Sequence, residues 1–116
     1  MAPNGFSVSA QESGCCLVVT LSGELDLSTV TTFHEELASV GISRGIRHAV
    51  LACSDLDFAD STALGAMLQL ATALPEGAAV VGAKGPLAKI LSIMGLTDQL
   101  PMFCTVDEAQ HKLHAA

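Results

Sequence analysis

The 116-residue sequence contains no Trp or Tyr, and its aromatic residues, 3% of the total, are four Phe. That absence removes the stacking platforms on which proteins hold single-stranded nucleic acid. It also leaves a core to be built from Ala, Val, Leu, Ile, Met and those few Phe. Cations are scarce as well. Arg44, Arg47, Lys84, Lys89 and Lys112 stand against twelve acidic residues, for a formal net charge of -7. Five scattered basic residues make no electrostatic footprint for a phosphate backbone or an anionic membrane surface. The charge points instead to a protein partner that carries basic groups.

Long apolar runs are missing too: none approaches the length needed to span a bilayer. No Lys or Arg precedes an apolar stretch near the N-terminus, so a secretory signal is not expected. The expectation is a soluble, cytoplasmic protein without membrane insertion. Among the cysteines no Cys-x-x-Cys pair occurs: Cys15 and Cys16 are adjacent, and Cys53 and Cys104 stand alone. They read as small residues filling a reduced core. His111 and His114 share a helical face near the C-terminus but have no third ligand nearby in sequence, so they read as a solvated helix end. No metal and no cofactor is expected.

What is present is hydrophobic material. Half of the residues are apolar, enough for a single core without disulfides or metals at this length. With no repeat, low-complexity tract or linker, the chain reads as one domain over 1–116, with a core from about 6 to 114.

The elements alternate. Phe6-Ser7-Val8 is a weak first strand, and Cys16 to Leu21, rich in β-branched residues, is a strong one that Gly23 ends. From Ser28, a plausible N-cap, the spacing becomes helical, with Val30, Phe33, Leu37 and Val40 on one face. Arg44 and Gly45 break this helix from Ile46 to Ala52, a short apolar run typical of a buried strand.

An Asp-rich turn from Ser54 to Asp60 leads to a second helix, whose apolar residues Leu64, Met67, Leu68 and Ala71 repeat at three and four residues until Pro75 and Gly77 stop it. Ala78 to Val81 is the next strand. A third helix starts at Gly85-Pro86 and ends at Gly95. Thr105-Val106-Asp107-Glu108 matches a capping box, and a last helix to about His114 follows. A short strand is allowed near Met102-Phe103. The pattern predicts an α/β fold of four to five strands in a mixed, mainly parallel sheet with about four helices, a number at which unequal cover of the two faces is allowed.

In such folds, function gathers on loops at the carboxyl ends of strands. Two loops qualify: Gly23-Glu24-Leu25-Asp26, and Asp55-Leu56-Asp57-Phe58-Ala59-Asp60-Ser61. Both follow strands of one sheet, so Asp26, Asp60 and Ser61 could share one edge. Taken singly, Asp26 fits turn chemistry and Asp60 or Ser61 fits an N-cap. The density of acid in the second loop, feeding a helix almost without charge, is left over.

These segments resemble the STAS domains (sulfate transporter and anti-sigma factor antagonist), in particular the free-standing anti-sigma factor antagonists. The resemblance spans roughly Leu17 to Leu113. It rests on Leu21-Ser22-Gly23-Glu24-Leu25-Asp26, on Leu56 to Ala66, on Leu91-Ser92-Ile93-Met94-Gly95-Leu96, and on Phe103 to Ala109. It implies partner switching. The unphosphorylated antagonist binds an anti-sigma factor that is also a serine kinase and so frees a sigma factor. The kinase phosphorylates the Ser after the Asp of the second loop, here Ser61, and a serine phosphatase reverses it. The implied partner surface is Asp26, Asp60, Thr62, Leu64 and Gly65, and the implied state is a monomer or weak dimer.

Where the family commonly has Asp-Ser-Ser-Gly-Leu-Gly, Thr62 and Ala63 stand in place of the second Ser and first Gly, which makes Thr62 a second candidate acceptor. The alternative within the family is a STAS module that is never phosphorylated and docks in a transporter, lipid-trafficking or signalling complex. A hydrolase with Ser61 as nucleophile and His48 or His34 as base is disfavoured, because the Gly-x-Ser-x-Gly elbow is absent and Gly82-Ala83-Lys84-Gly85-Pro86 is no phosphate loop. No catalytic residue is expected.

Overall fold

The computed structural model of the chain describes residues 5–42 and 45–115. Arg44 and the segment before Gly5 lie outside the described residues. The elements are β1 (Ser7–Ser13), β2 (Cys16–Leu25), α1 (Val30–Val40), β3 (His48–Ala59), α2 (Ser61–Ala73), β4 (Ala78–Val81), α3 (Gly85–Ile93), β5 (Met102–Phe103) and α4 (Val106–Ala115). The five strands lie side by side in chain order. The β1–β2 hairpin is antiparallel, and every later pairing is parallel, because a helix intervenes before each of those strands.

The helices divide unequally between the two faces. Phe33 of α1, Leu64, Met67 and Leu70 of α2, and Leu87 and Leu91 of α3 pack with Leu17, Val19, Leu21, Ala49, Leu51 and Val80 in the larger core. On the other face Ala109 and Leu113 of α4 cover Cys16, Val50, Ala79 and Val81. The central strands are therefore buried on both sides and carry near-continuous apolar sequence.

Three expectations change. The stretch from Ser54 to Ala59 is strand, not turn. It continues β3 alongside β2, with Ser22 opposite Asp55, Gly23 opposite Leu56, Glu24 opposite Phe58 and Leu25 opposite Ala59. Two register shifts, one between Thr20 and Ser22 and one between Gly23 and Glu24, put extra residues on β3. Each such bulge inverts which residues face the core. Leu56 is buried, Asp57 is skipped, and Phe58 turns outward while Ala59 packs inward.

Gly23 lies inside β2 rather than at its end. At φ 91° it occupies a region open mainly to glycine, and a Cβ there would come within 2.8 Å of the Gly5 carbonyl oxygen. Ser28, expected as the N-cap of α1, gives way to Thr29.

The helix ends behave as their sequences suggest. Leu74, before Pro75, is extended and stops α2. At the start of α4 the Glu108 N–H donates to Thr105 Oγ1 (3.1 Å), and Glu108 Oε1 accepts from the N–H of Cys104 (3.0 Å), one residue earlier than the usual reciprocal bond. Cys16 and Cys53 are buried in the core, where burial raises both thiols, Cys53 to about 12. Cys15 is half-buried and Cys104 exposed, so the reading of all four as core residues holds for two.

Candidate functional site

Parallel pairing of β2 and β3 runs to Leu25 and Ala59, the last residues of both strands. The next residues, Asp26 and Asp60, therefore leave the sheet side by side. The Asp60 N–H donates to the Leu25 carbonyl (3.3 Å) and extends the ladder one step into the loops.

Asp26 shapes the first loop. Its Oδ1 accepts from the N–H (3.0 Å) and hydroxyl (2.7 Å) of Ser28 and from the N–H of Thr29 (3.2 Å), an Asx turn. Ser28 is drawn to Asp26 and is not available as a cap. Thr29 is fully buried, and its polar groups are satisfied locally: Oγ1 accepts from the Asp26 N–H (2.9 Å) and donates to the Glu24 carbonyl (2.8 Å). The Ser28 hydroxyl, followed by the Ser28 N–H and Thr29 donors, holds the Asp26 carboxyl below its ordinary value against the opposing effect of partial burial.

Asp60 joins the two loops. It is the N-cap of α2, with Oδ1 accepting from the Ala63 N–H (3.0 Å), while Oδ2 accepts from the N–H of Leu27 in the other loop (3.2 Å). One carboxylate thus fixes both the helix start and the position of the first loop. Beside it Asp57 pairs with Lys84 at 3.1 Å on the surface, a contact of the exposed kind worth little to stability.

Ser61 is the first residue of α2 and is exposed; Thr62 is half-buried. Ala63 is bonded to the Asp60 side chain and Leu64 to the Asp60 carbonyl, and the two N–H groups ahead of them at the helix start, those of Ser61 and Thr62, have no intrahelical acceptor among the described residues. Gly65 is exposed, and a Cβ there would meet nothing within 4 Å. Leu64 requires correction as a surface residue: at 2% exposure it lies in the core and holds α2 to the sheet. His48 opens β3 whereas Ser61 lies beyond its other end, so the length of a twelve-residue strand separates them, more than about 30 Å at the rise of a strand. It is not placed to act as a base for Ser61.

Two residues that sequence reading missed flank this edge. Leu27 is 74% exposed and Phe58 51%, large apolar side chains one residue from Asp26 and two residues from Asp60 in the chain. The Asp57 bulge that turns Phe58 outward breaks strand alternation, so its exposure has no local sequence signal. Leu27 had one, as a lone apolar residue between Asp26 and Ser28 in a turn.

The described residues include no helix long and apolar enough to cross a membrane. The fold is shared with a crystal structure of an anti-sigma factor antagonist from Mycobacterium paratuberculosis, at 24% identity and a TM-score of 0.81, covering 97% of each chain. The phosphorylated form of the Bacillus cell fate determinant SpoIIAA matches at 20% identity and a TM-score of 0.66, over 94% of this chain and 99% of that one. A third match, at 17% identity and a TM-score of 0.72, is to the murine anion transporter Solute Carrier 26 family member A9 in its inward-facing state. It covers 91% of this chain but 19% of the transporter. The sequence model of the STAS domain matches residues 7–109, so the chain belongs to the STAS domain family.

Proposed function

We propose that the protein is an anti-sigma factor antagonist that works by partner switching, with Ser61 as its phosphorylation site. In the unphosphorylated state it binds an anti-sigma factor that is also a serine kinase. The observation that carries this reading is the Asp60 bridge, which ties the Asp26 loop to the start of α2 and leaves the Ser61 hydroxyl exposed between them.

The physical logic follows from position. A phosphate adds about 1.5 to 2 negative charges. At the first residue of α2 it meets the positive end of the helix and the N–H groups of Ser61 and Thr62, so the fold accommodates it. At an interface the same group adds bulk and repels the carboxylates of Asp57 and Asp60. Modification therefore acts on binding, not on folding. Between the two candidate acceptors, the exposed Ser61 is favoured over the half-buried Thr62.

The contact surface comprises Asp26, Asp60, Ser61, Thr62 and Gly65, with Leu27 and Phe58 as apolar anchors of the kind that dominate interfaces. Incubation with ATP and the cognate kinase, followed by mass spectrometry, tests the acceptor: phosphate on Ser61, lost in Ser61→Ala, is the expected result. Phosphate on another residue, or none, would overturn the assignment. Leu27→Ser and Phe58→Ser are expected to weaken the complex at least tenfold in a pull-down titration while changing stability by less than about 0.5 kcal/mol, as for other surface substitutions.

A further inference from the structure

The opposite end of the sheet holds a cluster that partner switching does not use. Cys15 lies in the β1–β2 turn, His48 opens β3, Glu76 precedes β4, and His114 is near the end of α4. One donor atom from each, a sulfur, two ring nitrogens and a carboxylate oxygen, lies within 4.8 Å of all the others. Nδ1 of His114 is 3.8 Å from Sγ of Cys15 and 3.7 Å from Oε1 of Glu76, and Nδ1 of His48 is 2.9 Å from that same oxygen. Donors on a tetrahedral zinc ion, with bonds of about 2.0 to 2.3 Å, stand roughly 3.3 to 3.8 Å apart. Two of the three contacts already have that spacing. The third needs to widen by less than an ångström.

His48 is fixed beside Glu76: its side chain is 2% exposed and its Nδ1 faces the carboxylate, while its other ring nitrogen, Nε2, has no hydrogen-bond partner among the described residues, an uncommon state for a buried polar nitrogen. Glu76 is held ready on its other side. Its Oε2 accepts from Nε of Arg47 at 2.9 Å, so one carboxylate oxygen is taken by the guanidinium while the other faces the two imidazoles. Cys15, His48 and His114 also line a cleft of about 400 Å³ together with Asp107 and His111. His114 is 66% exposed on its side chain, so the cleft has a side from which an ion can enter and a ligand that can adjust.

We propose that Cys15, His48, Glu76 and His114 bind one divalent transition-metal ion of the zinc class. A donor set of thiolate, imidazole and carboxylate selects such ions over magnesium or calcium, which prefer oxygen alone. On binding, the Cys15 thiol releases its proton to solvent and its sulfur forms the bond to the metal, while each imidazole binds as the neutral ring. The ion ties the β1–β2 turn and the start of β3 to α4, which is the helix that covers this face of the sheet. His114, without His111, is the C-terminal member of this set, and its proposed co-ligands come from parts of the chain far from it in sequence.

The test is titration of the reduced full-length protein with Zn²⁺ in competition with a chromogenic chelator, and with Co²⁺ as a spectroscopic probe. One equivalent is expected to bind, with the visible bands of tetrahedral cobalt, a thiolate-to-cobalt absorption, and a rise in Tm with metal concentration. Cys15→Ser and His114→Ala change side chains at the accessible side of the cluster. Each is expected to retain the circular dichroism of the parent and to weaken Zn²⁺ binding at least tenfold, with the thiolate band lost in Cys15→Ser. Absence of saturable one-equivalent binding overturns the proposal, as does binding left unchanged by both substitutions.

Discussion

At the scale of single residues, the edge formed by Asp26, Asp60 and Ser61 depends on carboxylates that accept hydrogen bonds. Asp60 makes two bonds in different directions, to Ala63 in its own helix and to Leu27 in the neighbouring loop. Asp60→Ala removes both. The cap alone is worth about 0.5 to 2 kcal/mol, and a loss of that size is expected in urea denaturation, together with faster hydrogen exchange at the Leu27 amide. Asp60→Asn keeps an acceptor for Ala63 and is expected to lose less. Asp26 offers a second check. Its folded pKa lies below the ordinary 3.8, chiefly because the Ser28 hydroxyl bonds the ionised form. The stabilisation is therefore fully present above pH 3.8 and is lost as pH falls through the lowered folded value. Ser28→Ala is expected to raise the Asp26 pKa in an NMR titration. No movement would show that the hydroxyl does not set it.

At the scale of elements, α2 separates the two jobs of its sequence by face. Leu64 belongs to the core, and Leu64→Ala is expected to cost about 2 to 5 kcal/mol, as buried Leu truncations do. Gly65, one position on, is exposed with open space around it. Gly65→Ala is expected to stabilise the helix by up to about 1 kcal/mol while weakening partner binding. A variant more stable and equally well bound would remove Gly65 from the contact surface.

The order of elements was legible in the sequence because α2, α3 and the capping box of α4 carry local signals in apolar spacing, Pro86 and Thr105. The length of β3 was not. Its bulges place Asp55, Asp57 and Phe58 outward in a pattern that neither strand nor helix periodicity matches, so acid density read as turn. The neighbouring positions of Asp26 and Asp60 were legible from topology alone. That one carboxylate bonds both loops was not, since nothing local to Asp60 points to Leu27. The cluster of Cys15, His48, Glu76 and His114 was invisible for the same reason: its members have no sequence spacing, and only the sheet and α4 bring them together.

At the scale of the whole molecule, the sheet keeps two poles apart. The carboxyl ends of β2 and β3 carry the Asp26, Asp60 and Ser61 edge, and the amino ends of the same strands carry Cys15 and His48. The core between them is continuous from α1 through α3, so a charge added at Ser61 is expected to change the surface and leave the other pole undisturbed. Ser61→Ala is accordingly expected to match the parent in Tm within about 1 °C, because substitutions at an exposed position change stability little.

The central claim is that phosphate on Ser61 acts on binding without acting on the fold. The most direct measurement is calorimetric titration of one anti-sigma kinase partner with three homogeneous forms: unmodified, Ser61→Ala and phosphorylated on Ser61. The first two are expected to bind alike and the phosphorylated form at least tenfold more weakly, about 1.4 kcal/mol, with unchanged circular dichroism. Equal affinity of the phosphorylated and unmodified forms would contradict the account.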